Sequence, residues 1–330
     1  MAPAFADSIA AIDFESPAYS TGNINGQNGW MKTGSYDVAV DSVASFSNAS
    51  AFGFGAQALR VSNAVTSGAF GDQTFSPGLT SPANETSPTH FEASFNIGST
   101  QAVQQPGLFL SVSPDDGNGS RMSYAGFNDQ ADGIHVIFYD VTNAGPLPTV
   151  ASFNGTDVAT INRTSAHTVK FVIDLVPGPA NDVVKLYVDS ILVATGTTWE
   201  DYYRYDPEQT GNGNVVPSIS KLLFRVGGTA TPTTLSNGYL VDGVSLSSGP
   251  VLVGPPTNKD ECKKDGWKTF NNPTFKNQGA CVSFVERHEK DDEDDDHDND
   301  RNDNDDRDDH GKDNRDNDHR GENRGHGERD

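Results

Sequence analysis

The chain has 330 residues, 34% of them hydrophobic, and carries 46 acids against 23 bases for a formal net charge of −23. That length suits one large domain or two small ones. No run of the sequence is basic enough to hold a nucleic-acid backbone and none approaches the roughly 18 apolar residues of a membrane helix, so nucleic-acid-binding and membrane-spanning classes are excluded.

The first six residues, with Ala4 and Ala6 before Asp7, read as the stub of a signal peptide at 1–6, and imply a secreted or cell-surface protein. From Asp7 to Ser248 short alternating runs are broken by Gly, Pro, Asn and Asp, and no stretch keeps a helical apolar period. This predicts an all-β body. Phe91, Ala93, Phe95 and Ile97 alternate with Glu92, Ser94 and Asn96, and Val169, Phe171, Ile173 and Leu175 repeat the pattern. Val184, Leu186 and Val188 lead through Asp189 and Ser190 into 191–194, a hairpin. Further strands are predicted at 10–15, 36–41, 58–62, 108–113, 120–127, 134–141, 220–226 and 239–246. About a dozen strands in ~240 residues suit one sandwich, because two inward faces bury each other.

Gly249, Pro250, Gly254, Pro255 and Pro256 then mark a linker over 249–256, and 257–290 forms a small module of different composition. Thr257 or Asn258 can cap a helical turn running to Lys264, and Asn277 a second running to Arg287. Cys262 and Cys281, the only cysteines, both fall here and fit a single disulfide in an oxidising compartment. Residues 291–330 hold 16 Asp and 3 Glu against 7 bases, and every other position is His, Asn or Gly. Such a segment cannot bury a core and is expected to be a disordered acidic tail, able to gather divalent cations weakly.

Signatures of catalysis are sparse. A hydrolytic sandwich would show acids alternating along a strand as Glu-x-Asp-x-Glu, so that two carboxyl groups share a face. The only such string is Glu289, Asp291 and Glu293, at the mouth of the tail with no apolar residues between them. No Gly-x-Ser-x-Gly, His-Glu-x-x-His, Walker or Gly-x-Gly-x-x-Gly motif occurs. His90, His135 and His167, the histidines before residue 288, lack the local context of a triad.

Trp199, Glu200, Asp201, Tyr202, Tyr203, Arg204 and Tyr205 form the densest group of aromatic and charged side chains in the body. Aromatic faces cover the C–H face of a pyranose while carboxylate and guanidinium groups bond its hydroxyls, so these residues are candidate ligand contacts. The alternative is a loop that folds back as a cover for the sandwich edge. Trp30, in the Gly-rich loop 22–34, divides in the same way between core plug and stacking platform. Asp242 is in phase with Leu240, Val244 and Leu246, which turns an acid toward the core. With Asp13 and Glu15 on a neighbouring first strand it would make a hard oxygen site suited to structural Ca2+; alternatively it accepts backbone or Tyr hydrogen bonds near Gly243. No organic cofactor is implied.

The stretch from His167 through TGTTWEDYYRYDP, then PSISKLLFRVGG and GYLVDGVSLSS, together with the opening DFES and NINGQNGW, resembles an uncharacterised group of secreted bacterial proteins. That group lies in the concanavalin A-like lectin and glucanase superfamily. The string KDECKKDGWKTFNNPTFKNQGACVSFV is similar to a short C-terminal segment carried by many secreted bacterial proteins. The resemblance implies a concanavalin A-like jelly-roll β-sandwich and export, but no particular activity. The resulting expectation is a noncatalytic, lectin-like protein whose partner is an extracellular glycan. A polysaccharide hydrolase or lyase and a purely structural surface scaffold are the alternatives.

Overall fold

The computed structural model describes residues 7–67, 71–142, 145, 150–227, 229–250 and 253–294. The expected signal-peptide stub at 1–6 and the acidic tail from 295 onward lie outside the described residues. The strands are β1 (Asp7–Ile12), β2 (Met31–Thr33), β3 (Asp37–Ser42), β4 (Gln57–Ser62), β5 (Gln73–Phe75), β6 (His90–Ser99), β7 (Phe109–Asp115) and β8 (Tyr124–Gln130). They continue with β9 (Gly133–Thr142), β10 (Ser152–Ile161), β11 (His167–Asp174), β12 (Val183–Val188), β13 (Ile191–Gly196), β14 (Lys221–Val226) and β15 (Tyr239–Gly249). Helix α1 (Glu200–Tyr205) separates β13 from β14, and α2 (Gln278–Asp294) belongs to the C-terminal module.

The strands form two antiparallel sheets. One runs β13-β12-β11-β6-β15-β4-β3, with β1 also paired to β15, and the other runs β10-β9-β8-β7-β14-β5-β2. Strands remote in sequence lie side by side, β6 between β11 and β15 and β7 beside β14, which is the crossed connectivity of a jelly roll. The all-β sandwich predicted from the alternating pattern is therefore present. Phe91, Phe95 and Phe171 from the first sheet meet Val112, Phe127 and Phe224 from the second in one core. Each such side chain contributes about 1.5–3 kcal/mol by leaving water.

Trp30 is part of that core and is not a ligand platform. It is 0% exposed, lies 5.4 Å from the ring of Phe14 and 5.8 Å from that of Phe224, and donates its indole N–H to Tyr19 Oη at 3.2 Å. With that donor satisfied, burying the whole ring leaves no polar group stranded.

The hairpin from β12 to β13 turns at Asp189 and Ser190, with φ of 50° and 67°, the left-handed pair of a two-residue turn. Other boundaries differ from the sequence reading. β1 ends at Ile12, so Asp13 and Glu15 follow the strand instead of projecting from one of its faces, and Phe14 between them has φ 57°. β2, β5 and β10 were not anticipated. The first two are three residues long, and β10 is an edge strand whose register shifts between Asp157 and Ala159.

In the module, Cys262 and Cys281 are disulfide-bonded with Cα atoms 5.8 Å apart. They are buried with Val285 beneath Trp267, Phe270 and Phe275. Asn277 Oδ1 accepts the Ala280 N–H at 2.8 Å and starts α2 where expected. That helix runs beyond Arg287 to Asp294 and takes in the first four residues assigned to the tail. The other predicted helical turn, over 257–264, is a series of tight turns instead. Asn258 Oδ1 takes the N–H groups of Asp260 and Glu261, and Lys264 and Asp265 adopt positive φ. Among the described residues no helix is long and apolar enough to cross a membrane.

Candidate functional site

The aromatic segment after Thr198 is a helix. Thr198 Oγ1 accepts the Glu200 N–H at 3.2 Å, Glu200 and Asp201 occupy the first turn and Arg204 the last, as the helix dipole favours. Arg204 Nε donates to Glu200 Oε2 at 3.1 Å, four residues away, and Pro207 with the Asp206 cap opens the next short turn. Helical spacing sorts the side chains in a way that extended alternation would not. Trp199, Tyr202 and Tyr203 go to one side; Glu200, Asp201 and Arg204 go to the other.

The aromatic side of α1 forms one wall of a groove of about 510 Å³ on the outward face of the β10-to-β2 sheet. Its floor is built from β8 and β9. Ala125 and Phe127, and Ile134, Val136 and Phe138, point into the core, so Tyr124 and Tyr139 point away from it. The two tyrosines are register partners, and their rings stack at 4.1 Å with an interplanar angle of 29°. Gly155, opposite Tyr139 on β10, leaves that ring its place, since a Cβ there would come within 2.9 Å of it. Phe153, 42% exposed, closes the edge against Trp199 at 4.6 Å and Tyr202 at 5.1 Å.

Three hydrogen bonds fix Trp199 and α1 to β9 and to the connection that precedes β8. The Trp199 N–H donates to Met122 O at 2.9 Å, Trp199 Nε1 to Tyr139 O at 3.2 Å, and Tyr203 Oη to Arg121 O at 2.9 Å. The polar lining is Gln73, Arg121, Arg225 and Glu208, the last accepting from Tyr202 Oη at 3.2 Å. Burial pushes the Tyr124 and Tyr203 phenols above their ordinary range. It also lowers both guanidinium groups, and the charge of Arg121 lowers Arg225 further.

Glu200, Asp201 and Arg204 are thus not groove residues. Arg204 is paired with Glu85 and Glu200, and with Asp182 these carboxylates form the one group among the described residues whose ligand oxygens gather within 4.8 Å. Burial, reinforced by the Asp182 charge, pushes Glu200 up to about 7, and burial raises Asp182 to about 6. Arg204 already supplies this cluster with positive charge. Tyr205 is half-buried and is not among the groove residues.

The trio Asp13, Glu15 and Asp242 does not gather its oxygens as closely. Asp13 Oδ1 accepts the Glu15 N–H at 3.2 Å and Glu15 Oε1 accepts the Gln57 N–H at 2.9 Å. Asp242 is buried on β15 beside β1, and its Oδ1 has no hydrogen-bond partner. Burial pushes it up to about 7, with the charges of Asp13 and Glu15 adding to the effect.

Tyr124, Tyr139, Phe153, Arg121 and Arg225 were not singled out from the sequence. A signal existed for two of them: each tyrosine stands on the polar phase of an alternating strand. The outer face of the other sheet carries a depression of like size around His90, Glu92, Lys170 and Asp174, but its charges pair with one another.

No protein-family model matches the chain, and no curated protein matches it. Solved structures to which it is similar include a sialidase, at 12% identity and TM-score 0.42, over 78% of this chain and 19% of that one. An endo-β-1,4-glucuronan lyase from the fungus Trichoderma reesei is matched at 12% identity and TM-score 0.37, over 70% of this chain and 94% of the lyase. The lectin UEA-II complexed with galactose is matched at 12% identity and TM-score 0.36, over 74% of this chain and 100% of the lectin. The chain therefore spans about a fifth of the sialidase and nearly all or all of the other two.

Proposed function

We propose that this protein is a secreted, noncatalytic glycan-binding protein, and that the groove over Tyr124 and Tyr139 receives the saccharide. The observation that carries this reading is the groove's composition. Tyrosine, tryptophan and phenylalanine rings from β8, β9, β10 and α1 converge on an open face, with amide, guanidinium and carboxylate groups at the margin. Rings of this kind cover the apolar C–H faces of pyranoses, and an open groove admits a chain along its length. Among the lining residues Glu208 is the only carboxylate, which favours binding over hydrolysis by a pair of acids.

A structural calcium ion at Asp242 is part of the same proposal, with Asp13 and Glu15 as neighbouring acids. It is supported by the buried carboxylate oxygen that lacks a partner and by the negative charge around it, a donor set of the kind Ca2+ prefers.

Affinity gel electrophoresis of the full chain against soluble polysaccharides, with an assay for new reducing ends, tests the function. Retardation by at least one polymer without release of reducing ends is expected. Migration unchanged in every polymer would leave the scaffold reading, and release of reducing ends would make the protein a polysaccharide hydrolase or lyase.

A further inference from the structure

Two cations sit in the groove of a strongly acidic protein. The chain as a whole carries −23, yet Arg121 and Arg225 both line the groove and Glu208 is the only acid among the lining residues. Arg121 is 8% exposed, its Nε has no hydrogen-bond partner, and among the described residues it forms no ion pair within 4 Å. Asp115, the acid whose charge acts on it, is itself buried, raised to about 6, and accepts from the Gly117 and Gly119 N–H groups at 2.6 and 3.2 Å. Arg121 and Arg225 also repel each other. Placing a guanidinium beside a like charge, mostly out of water and with a donor unsatisfied, is costly unless something with negative charge completes the arrangement.

We infer that the groove is built for an acidic polysaccharide, one whose sugar rings stack on Tyr124, Tyr139 and Trp199 while their oxyanions bind Arg121 and Arg225. This rests on the glycan reading above and narrows it from saccharides in general to anionic ones. Uronate carboxylates and sugar sulfates share the required chemistry, planar or tetrahedral oxyanions that a guanidinium meets through paired N–H donors. The net negative charge of the chain disfavours such polymers in general, so binding would depend on the two guanidinium groups of the groove.

The test uses the full chain with three uronate polymers, polygalacturonate, alginate and a glucuronan. Each is paired with its own carboxyl-reduced, neutral form, and a sulfated galactan is set beside its desulfated form. The expected result is that at least one acidic polymer binds about tenfold more tightly than its neutralised counterpart, and that the margin shrinks at roughly 0.5 M NaCl. The uronate and sulfate arms tell which oxyanion is recognised. In Arg121→Gln the preference should fall toward unity. Arg225→Gln provides the same reading if the first variant does not fold, and the carboxyl-reduced polymers need no variant at all. Equal binding of acidic and neutralised forms, or a preference that survives both substitutions, would overturn the inference while leaving a glycan groove. Failure of every polymer, charged or neutral, would remove the glycan reading with it.

Discussion

Tyr124 on β8 and Tyr139 on β9 face each other across the strand pair and stack their rings at 4.1 Å, making an aromatic surface continuous with Trp199 at the head of the neighbouring helix. Both rings are held from one side by the sheet and turned to solvent on the other. The arrangement offers apolar area with little conformational entropy left to lose on binding.

Tyr139→Ala should therefore damage binding more than folding. Removing the ring deletes one stacked pair, worth roughly 1 kcal/mol, together with the part of a half-buried ring that the sheet keeps from water, so the melting temperature drops by several degrees while the protein still folds. Polysaccharide affinity should fall about tenfold. Calorimetric melting and affinity electrophoresis on the same preparation distinguish the two effects; a large loss of stability with unchanged affinity would remove Tyr139 from the site.

Trp30→Ala should behave in the opposite manner. Its ring is wholly buried among Phe14, Tyr19 and Phe224, so truncation opens a core cavity and costs about 3–5 kcal/mol. Denaturant unfolding measures the loss. The fraction that remains folded should bind glycan with unaltered affinity.

The sequence shows the sandwich because period-two alternation is strong in β6, β11 and β12, where the inward residues between the polar ends Ser99 and His167 are Val, Ile, Leu, Phe or Ala. It hides β10, whose Gly155 and Asp157 break the apolar phase, and it hides β2 and β5, too short for any period. The site was legible only in part. The concentration of rings after Thr198 was plain, yet which of them meet depends on the segment being helical, and the early acids with Arg204 four residues after Glu200 were the available sign of that. Tyr124 and Tyr139 could have been matched, since the two-residue connection Ala131 and Asp132 sets the β8–β9 register. Arg121 and Arg225 could not. They come together only through the β7–β14 pairing, which joins segments about a hundred residues apart and leaves no local trace.

Stability should fall as pH rises from about 4 to a little above 7. Burial holds Asp242 up at about 7, Glu200 at about 7, and Asp182 and Asp115 at about 6. An acid whose pKa is raised by folding contributes stability that is whole below its unfolded value and lost as pH climbs through the folded one. Asp242→Asn should raise the melting temperature at about pH 8, with the advantage gone near pH 4. If calcium binds there, roughly 1 mM Ca2+ at pH 8 should stabilise the native chain and leave the variant unmoved. Equal responses of the two proteins would dismiss calcium from Asp242.

Loss of the disulfide should be felt within the module. Replacing Cys262 and Cys281 by serine frees a 19-residue separation whose closure is worth about 3 kcal/mol. With only a small cluster around Val285 and Phe275 to hold it, the segment 253–294 should become sensitive to protease while the sandwich stays resistant. Digestion patterns read by mass spectrometry report this directly, and unchanged resistance of the module would show that its rings suffice.

The most direct measurement is a titration of the 15N-labelled chain with an oligosaccharide from whichever polymer is retained, followed through the indole N–H resonances. The sequence has three tryptophans, and each occupies a different place: Trp30 in the core, Trp199 in the groove and Trp267 beside the disulfide. Saturable movement of the Trp199 resonance, with those of Trp30 and Trp267 still, is the predicted result. A ligand that binds while Trp199 stays in place would contradict the assignment of this groove.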